Sequence, residues 1–194
     1  VFDDPSLPRI AIGTDLLPRT LNLDMDNGSW VERALARLPA RRRKRIAWLA
    51  GGDLLENEYL LPALAKRRLS VPPAWRIPLG LSCPRGAGRV VQLLMSLPAT
   101  VRPNGLLIAD DNLVEHAAAG LVASGVRVPD DLDVVAHTNW PWPAPAVLPF
   151  IRLGFDAREI LTRCMDVIDA RRRGQPAPRG IHIPARFEEE IENK

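Results

Sequence analysis

Short apolar runs alternate with helix-length segments along almost the whole chain of 194 residues. Nearly continuous apolar strands, each followed by enough residues for a helix, are typical of a parallel sheet buried on both faces. We predict strands at 9–12, 21–25, 45–50, 105–109, 132–137 and 181–185. We predict helices at 28–38, 55–69, 86–97, 112–124 and 155–173. The expected fold class is therefore α/β, a doubly wound parallel sheet.

The composition indicates a globular protein and argues against several other classes. With 46% hydrophobic residues, the chain can bury a substantial core. It contains no run of 18 apolar residues and its start lacks the features of a signal peptide. We therefore expect a cytoplasmic protein with no membrane contact. Because the first residue is Val1 rather than Met, we also expect that further sequence precedes it.

The charges and the cysteines give no indication of a nucleic-acid or metal site. The net charge of +3 comes mainly from the basic runs at 41–45 and 171–173, each at the end of a predicted helix, where cations complement the helix dipole. No aromatic or helix-turn-helix pattern accompanies them, so we interpret them as solvated helix ends. Cys83 and Cys164 lack any metal-ligand spacing, and we interpret them as buried structural thiols. We expect no metal and no cofactor.

Short polar side chains follow four of the predicted strands. In doubly wound sheets, ligands bind beyond the carboxyl ends of the strands. The residues at these ends are Asp26, Asn27, Gly51, Gly52, Asp53, Asp110, Asp111, His137, Thr138 and Asn139. Several of them accept hydrogen bonds, which suits a polyhydroxylated or amine-bearing small molecule.

The adjacent carboxylates Asp110 and Asp111 allow several interpretations: a catalytic pair, a metal site, a helix cap or a ligand contact. Asp111 or Asn112 fits the N-cap of the helix that follows, which leaves Asp110 to face a cleft. A metal site is disfavoured because His116, six residues after Asp110, is the nearest possible nitrogen ligand. A phosphate loop is also disfavoured, because the glycines at 86–88 are too few for a dinucleotide fingerprint.

The segment from Asn104 to Asn139, "NGLLIADDNLVEHAAAGLVASGVRVPDDLDVVAHTN", resembles the late part of the effector-binding domain of LacI/GalR-type bacterial transcription regulators. The resembling features are a strand ending in an acidic pair, a helix rich in Ala and Gly, and the stretch "GVRVPDDLDVVA", which is the most specific match. Residues 23–52 and 149–188 extend the resemblance over nearly the whole chain.

The resemblance implies a periplasmic-binding-protein-like fold of two lobes that the chain crosses three times, with the amino-terminal lobe incomplete in this sequence. Residues 1–27 would form part of the amino-terminal lobe and residues 28–152 the carboxyl-terminal lobe. Residues 153–180 would return to the amino-terminal lobe, and residues 181–194 would form the final crossing strand and the tail.

The resemblance also implies a function: a non-catalytic, effector-binding and dimerisation domain that senses a small sugar-like molecule and acts on DNA through a headpiece absent from this chain. It matches Asp26 and Asp110 to effector contacts. His137 stands where the family has an aromatic residue, and Thr138 stands where it has an aspartate. Asn139 adjoins them. Because acceptors dominate these positions, we expect a neutral ligand; Arg152, near the third crossing, is the one cation that could reverse this polarity.

Two other classes of function stay open at this stage. One is an enzyme on a doubly wound sheet that uses Asp110 and Asp111 with Mg²⁺. The other is a regulator-like domain that dimerises without a ligand. We predict a homodimer through the helix at 55–69, because its apolar positions exceed the needs of one buried face. These positions are Leu54, Leu55, Leu60, Leu61 and Leu64.

Overall fold

The computed structural model describes residues 7–13, 20–40, 44–52, 55–80, 82–176 and 181–192. These residues form nine strands and six α-helices. The strands are β1 (Ile10–Ile12), β2 (Leu21–Asp26), β3 (Ile46–Ala50), β4 (Arg76–Pro78), β5 (Gly105–Ile108), β6 (Asp133–Trp140), β7 (Ile151–Asp156), β8 (Ile181–Pro184) and β9 (Arg186–Phe187). The helices are α1 (Asn27–Ala40), α2 (Leu61–Arg67), α3 (Gly86–Met95), α4 (Val114–Ala123), α5 (Ala157–Arg172) and α6 (Glu188–Glu192).

The strands form two sheets. The smaller sheet has the order β1-β2-β8 and is parallel. The larger sheet has the order β4-β3-β5-β6-β7-β9 and is parallel except for β9, which runs antiparallel to β7. Strand–helix–strand connections repeat along the chain, and helices cover both faces of the larger sheet. The predicted α/β class with parallel sheets is therefore confirmed.

The larger sheet separates two hydrophobic clusters, because successive side chains of a strand point to opposite faces. On one face, Leu107 of β5 packs with residues of α1, α2 and α5. On the other face, Leu106 and Ile108 pack with residues of α3 and α4. The smaller sheet contributes Leu23 and Ile183 to the first cluster. The core on the α1 side therefore joins the two sheets.

Three strands were missed by the sequence prediction: β4, β7 and β9. The helix predicted from 155 begins only at Ala157, because β7 stays extended and pairs with β6 from Ile151 to Asp156. Asp156 then caps α5, with its Oδ1 accepting hydrogen bonds from the amides of Arg158 (2.9 Å) and Glu159 (3.4 Å). The strand was missed because its arginine, glycine and terminal aspartate interrupt the apolar pattern.

Gly154 lets β7 lie against β6 at a close approach. A Cβ at this position would collide with the backbone carbonyl of Thr138, its partner in the sheet. The close pairing of these two strands therefore requires a glycine at residue 154.

Other expectations need correction. Leu60 and Leu64, expected on a dimer surface, are buried in the core. Cys164 is buried, which raises the pKa of its thiol, but Cys83 is exposed, so the prediction of two buried thiols was wrong.

Residues 41–43 of the first basic run, together with Asp53 and Leu54, lie outside the described residues. Within the described ranges, no helix is both long enough and apolar enough to cross a bilayer.

Candidate functional site

Asp110 is the residue that caps the helix after β5. Its backbone is extended (φ −147°, ψ 126°), and its Oδ1 accepts hydrogen bonds from the backbone amide of Asn112 (2.9 Å) and from the Asn112 Nδ2 (3.0 Å). The capped segment is a 3₁₀ turn, Asp111–Leu113, that continues into α4. The expectation that Asp111 caps this helix was therefore wrong.

Asp111 instead contacts the end of the neighbouring strand. Its Oδ2 accepts a hydrogen bond from the Asn139 Nδ2 at 2.6 Å. Asn139 lies near the carboxyl end of β6, and Asp111 follows β5, which is the adjacent strand in the sheet. The parallel order thus brings together two side chains that are 28 residues apart in the sequence.

His137 lies two residues before Asn139, on the same face of β6. Its ring lies 5.9 Å from the Trp30 ring and 5.6 Å from the Phe155 ring, measured between centroids. The residue is partly exposed, but its Nδ1 is buried and has no hydrogen-bond partner among the described residues. Burial lowers the pKa of His137, and the negative charges of Asp111 and Asp110 oppose this shift only in part.

Trp30 fixes α1 over this face of the sheet. Its Nε1 donates a hydrogen bond to the backbone carbonyl of Leu153 at 2.7 Å. Its ring meets the Trp48 ring edge to face, with 6.1 Å between the centroids. Because Trp30 is only 2% exposed, it forms a rigid support for His137 rather than a surface for a ligand.

Asp26 lies at the start of α1, about one helical turn before Trp30. Its Oδ1 accepts a hydrogen bond from the amide of Ser29 at 2.7 Å. The Ser29 hydroxyl donates to the Asp26 backbone carbonyl (2.9 Å) and accepts from the amide of Ala185 (3.1 Å). Asp26 is therefore an N-cap held at the junction between β2, α1 and the segment that joins β8 to β9.

Tyr59 is a neighbour of Asp26 that the sequence analysis did not select. Its ring lies 3.6 Å from the position that a Cβ on Gly28 would take. Burial raises the pKa of the phenol, and the charges of Glu58, Asp24 and Asp26 raise it further. The phenol therefore stays protonated among these acids and can donate a hydrogen bond. The only available signal was that Tyr59 is the single tyrosine of the chain.

Thr138 and Arg152 are less accessible to a ligand than we expected from the sequence. Thr138 is only 1% exposed and faces away from His137 and Asn139, because alternate residues of β6 point to opposite faces. Its Oγ1 has no hydrogen-bond partner in the described part of the chain. Arg152 forms an ion pair with Glu188, with 3.0 Å between Nη1 and Oε1. The structure therefore groups Asp110, Asp111, His137 and Asn139, while Thr138 and Arg152 lie apart from that group.

A second arginine, Arg76 at the start of β4, also forms an ion pair. Arg76 and Glu56 form a bond of 2.9 Å between Nη1 and Oε1, and their side chains are only 18% and 15% exposed. This partly buried pair holds the π-helical turn Glu56–Leu60 against β4. It also neutralises the charge of the arginine.

The resulting arrangement is a group of hydrogen-bonding side chains at the carboxyl ends of β5 and β6. Carboxylate oxygens of Asp110 and Asp111 and the amide of Asn139 offer hydrogen bonds to hydroxyl or amine groups. In the described ranges, no group of three His, Cys, Asp or Glu side chains has the geometry of a metal site. A separate cavity of about 250 Å³ lies between α5 and β8. It is lined by Glu159, Arg163, Asp166, Val167, Ile181, His182 and Ile183, none of which belongs to the group after β5 and β6.

Comparisons with known proteins identify the fold. No protein-family model matches the chain, and no curated protein matches it. Among solved structures, a LacI-family transcriptional regulator from Arthrobacter sp. FB24, in complex with lactose, has a TM-score of 0.79 at 19% identity and covers 93% of this chain and 68% of its own. A regulatory protein of the LacI family from Chloroflexus aggregans has a TM-score of 0.77 at 21% identity, with 93% and 66% covered.

A third structure is a LacI family transcriptional regulator from Lactobacillus casei, with bound sucrose, which has a TM-score of 0.75 at 18% identity. It covers 92% of this chain and 68% of its own. This chain thus spans about two thirds of the length of each of the three solved chains. All three are regulators of the LacI family. The resemblance seen in the sequence is therefore confirmed for the fold: the chain has the periplasmic-binding-protein-like α/β fold of LacI-family effector-binding domains.

Proposed function

We propose that this chain is the effector-binding and dimerisation domain of a bacterial transcription regulator that senses a small, neutral, sugar-like molecule. The fold supports the class, and two of the similar regulators were solved with lactose and sucrose. The proposed regulator works in the cytoplasm without catalysis and without a cofactor. It reaches DNA through a headpiece outside this sequence.

The observation that carries the proposal is the Asp111–Asn139 hydrogen bond at the carboxyl ends of β5 and β6. A carboxylate held in place by a neighbouring amide is pre-organised to accept hydrogen bonds from a hydroxylated ligand. The arginines Arg152 and Arg76 are already paired with Glu188 and Glu56. A buried anionic ligand would therefore face uncompensated negative charge, which favours a neutral one.

The proposed ligand contacts keep the expected residues and add one. Asp111 joins the set as the carboxylate that faces Asn139. The earlier members remain proposals: Asp26, Asp110, His137, Thr138, Asn139 and Arg152. We likewise propose that β1, β2, α5 and β8 belong to one lobe, that the chain between α1 and β7 forms the other, and that a ligand binds between them.

Isothermal titration calorimetry and thermal-shift assays with lactose, sucrose and glucose, beside glucose 6-phosphate, test the ligand class. We expect a neutral sugar to raise the melting temperature, since a ligand selective for the folded state stabilises it. Asp111→Asn should abolish this rise. Glu115→Gln, on the exposed side of α4, is the matched control and should leave it unchanged. Stabilisation by the phosphate alone would contradict the proposal.

We propose that the dimer forms through the outer side of α3 and α4 rather than through α2. Leu93 is 70% exposed and Val122 is 53% exposed, whereas Leu60 and Leu64 of the predicted dimer helix are buried. Exposed apolar residues on neighbouring helices are typical of association surfaces. In α3 and α4, the glycines Gly88 and Gly120 bring the helix backbones into contact, so the two helices present one rigid surface.

A further inference from the structure

His137 is a titratable group of the proposed binding site that packs against aromatic side chains. Its ring centroid lies 5.9 Å from that of Trp30 and 5.6 Å from that of Phe155, and its buried Nδ1 has no hydrogen-bond partner among the described residues. Two residues further along the same face of β6, Asn139 holds Asp111. A proton on His137 would therefore appear beside the hydrogen bond that positions the ligand-binding carboxylate.

We propose that His137 is a positioning residue operated by protonation: neutral His137 leaves Asp111 bonded to Asn139, and protonated His137 draws Asp111 away. The affinity of the site for a hydroxylated ligand then falls as the pH falls. This inference rests on the proposed function for its consequence in binding, but the rearrangement itself is a property of the free protein.

The charges around His137 favour this movement. The charged groups that act on it are the carboxylates of Asp111 and Asp110, both of which follow β5. The other elements that pack on the ring contribute Trp30 from α1 and Phe155 from β7, and neither side chain titrates. A cation formed at His137 thus has no described partner except these two carboxylates, and Asp110 Oδ1 is already committed to Asn112.

The strength of the competing bonds gives the direction of the change. Both bonds to the Asp111 carboxylate are charge-assisted, because the acceptor is ionised, but only a protonated His137 adds the attraction between two opposite charges. The amide of Asn139 is neutral, so we expect Asp111 to move from it toward a protonated His137. Burial disfavours the protonated form of His137. While the ring is neutral, the Asp111–Asn139 bond persists. The step takes up one proton from solvent and breaks no covalent bond.

Nuclear magnetic resonance on the free chain tests the rearrangement without a ligand. The side-chain amide of Asn139 and the imidazole of His137 are followed from pH 7.5 to pH 4.5. We expect both to change with one midpoint, below the ordinary histidine value of about 6.5. In His137→Gln the Asn139 transition should disappear. In His182→Gln, which removes a histidine with a side chain 62% exposed, it should remain.

A second variant covers the case in which His137→Gln does not fold. Asp111 raises the pKa of His137, so Asp111→Asn should move the His137 midpoint to lower pH. An unchanged midpoint, or an Asn139 amide that stays constant while His137 titrates, would overturn the proposal.

Calorimetry with lactose at pH 7.5 and at pH 5.0 tests the consequence for binding. We expect the affinity to fall at the lower pH, and to stay nearly constant in His137→Gln. If lactose, sucrose and glucose all fail to bind at both pH values, the proposed function fails, and the resonance measurements still decide the role of His137. Binding with the same pH dependence in His137→Gln would refute the inference and leave the proposed function intact.

Discussion

Asp111 accepts a hydrogen bond of 2.6 Å from the side-chain amide of Asn139, and this contact joins the ends of the two central strands of the larger sheet. Asp110, its neighbour in the sequence, caps the 3₁₀ turn before α4 and contacts Asn112 instead. Two adjacent carboxylates thus have different partners and different roles. One stabilises the start of a helical segment, and the other links the ends of β5 and β6.

The first prediction concerns the cap. Asp110→Ala should lower the free energy of unfolding by about 1 kcal/mol, because the amide of Asn112 loses its acceptor. Asp110→Asn should recover most of this loss, since asparagine is an equally good N-cap. Urea denaturation gives the values. A loss of similar size in Asp111→Ala, with Asp110→Ala neutral, would show that the roles of the two carboxylates are reversed.

The second prediction concerns the contact between β6 and β7. Gly154→Ala should destabilise the protein by roughly 1–3 kcal/mol or more, because its Cβ would collide with the carbonyl of Thr138. Gly52→Ala is the matched control, since a Cβ on Gly52 meets no atom within 4 Å. Thermal denaturation should separate the two variants clearly. Equal melting temperatures would mean that the strands can move apart without cost.

The sequence pattern predicted the main elements because burial alone determines them. The runs at β3, β5 and β6 are apolar on both faces of the sheet, and this pattern is visible in a single sequence. β7 was missed because its extended conformation depends on pairing with β6, which is not a local signal, and because Arg152 and Gly154 interrupt its apolar run. The strands that pair with β4 and β9 are likewise distant from them in the sequence.

The residues of the candidate site were found more reliably than their roles. Strand ends directed attention to Asp110, Asp111, His137 and Asn139, which the structure groups together. The choice of cap depended on the backbone angles of Asp110, which the sequence does not specify. Tyr59 could not be linked to Gly28 and Asp26 because only tertiary packing brings the loop after β3 to the start of α1.

The third prediction concerns assembly. Leu93→Lys should weaken or abolish the dimer with little effect on the stability of the fold, because the side chain is 70% exposed in the single chain. Leu161→Lys, on α5 and 59% exposed, is the control and should leave the dimer intact. Sedimentation velocity at micromolar concentrations measures the outcome. A dimer that persists in Leu93→Lys and dissociates in Leu161→Lys would place the interface on the other side of the molecule.

The fourth prediction concerns the dependence of stability on pH. Burial lowers the pKa of His137 in the folded protein, whereas the unfolded chain has the ordinary value of about 6.5. Below that value the unfolded chain binds more protons than the folded one. The contribution of His137 to stability is therefore complete above about pH 6.5 and is lost as the pH falls toward the folded pKa.

His137→Gln should flatten this part of the pH profile, because glutamine does not titrate. Urea denaturation at pH 7.5, 6.5 and 5.5 gives the slope of the unfolding free energy against pH for the parent chain and the variant. His182→Gln should keep the slope of the parent chain, since its imidazole is largely exposed. A slope that is equally steep in His137→Gln would assign the acid sensitivity to other groups.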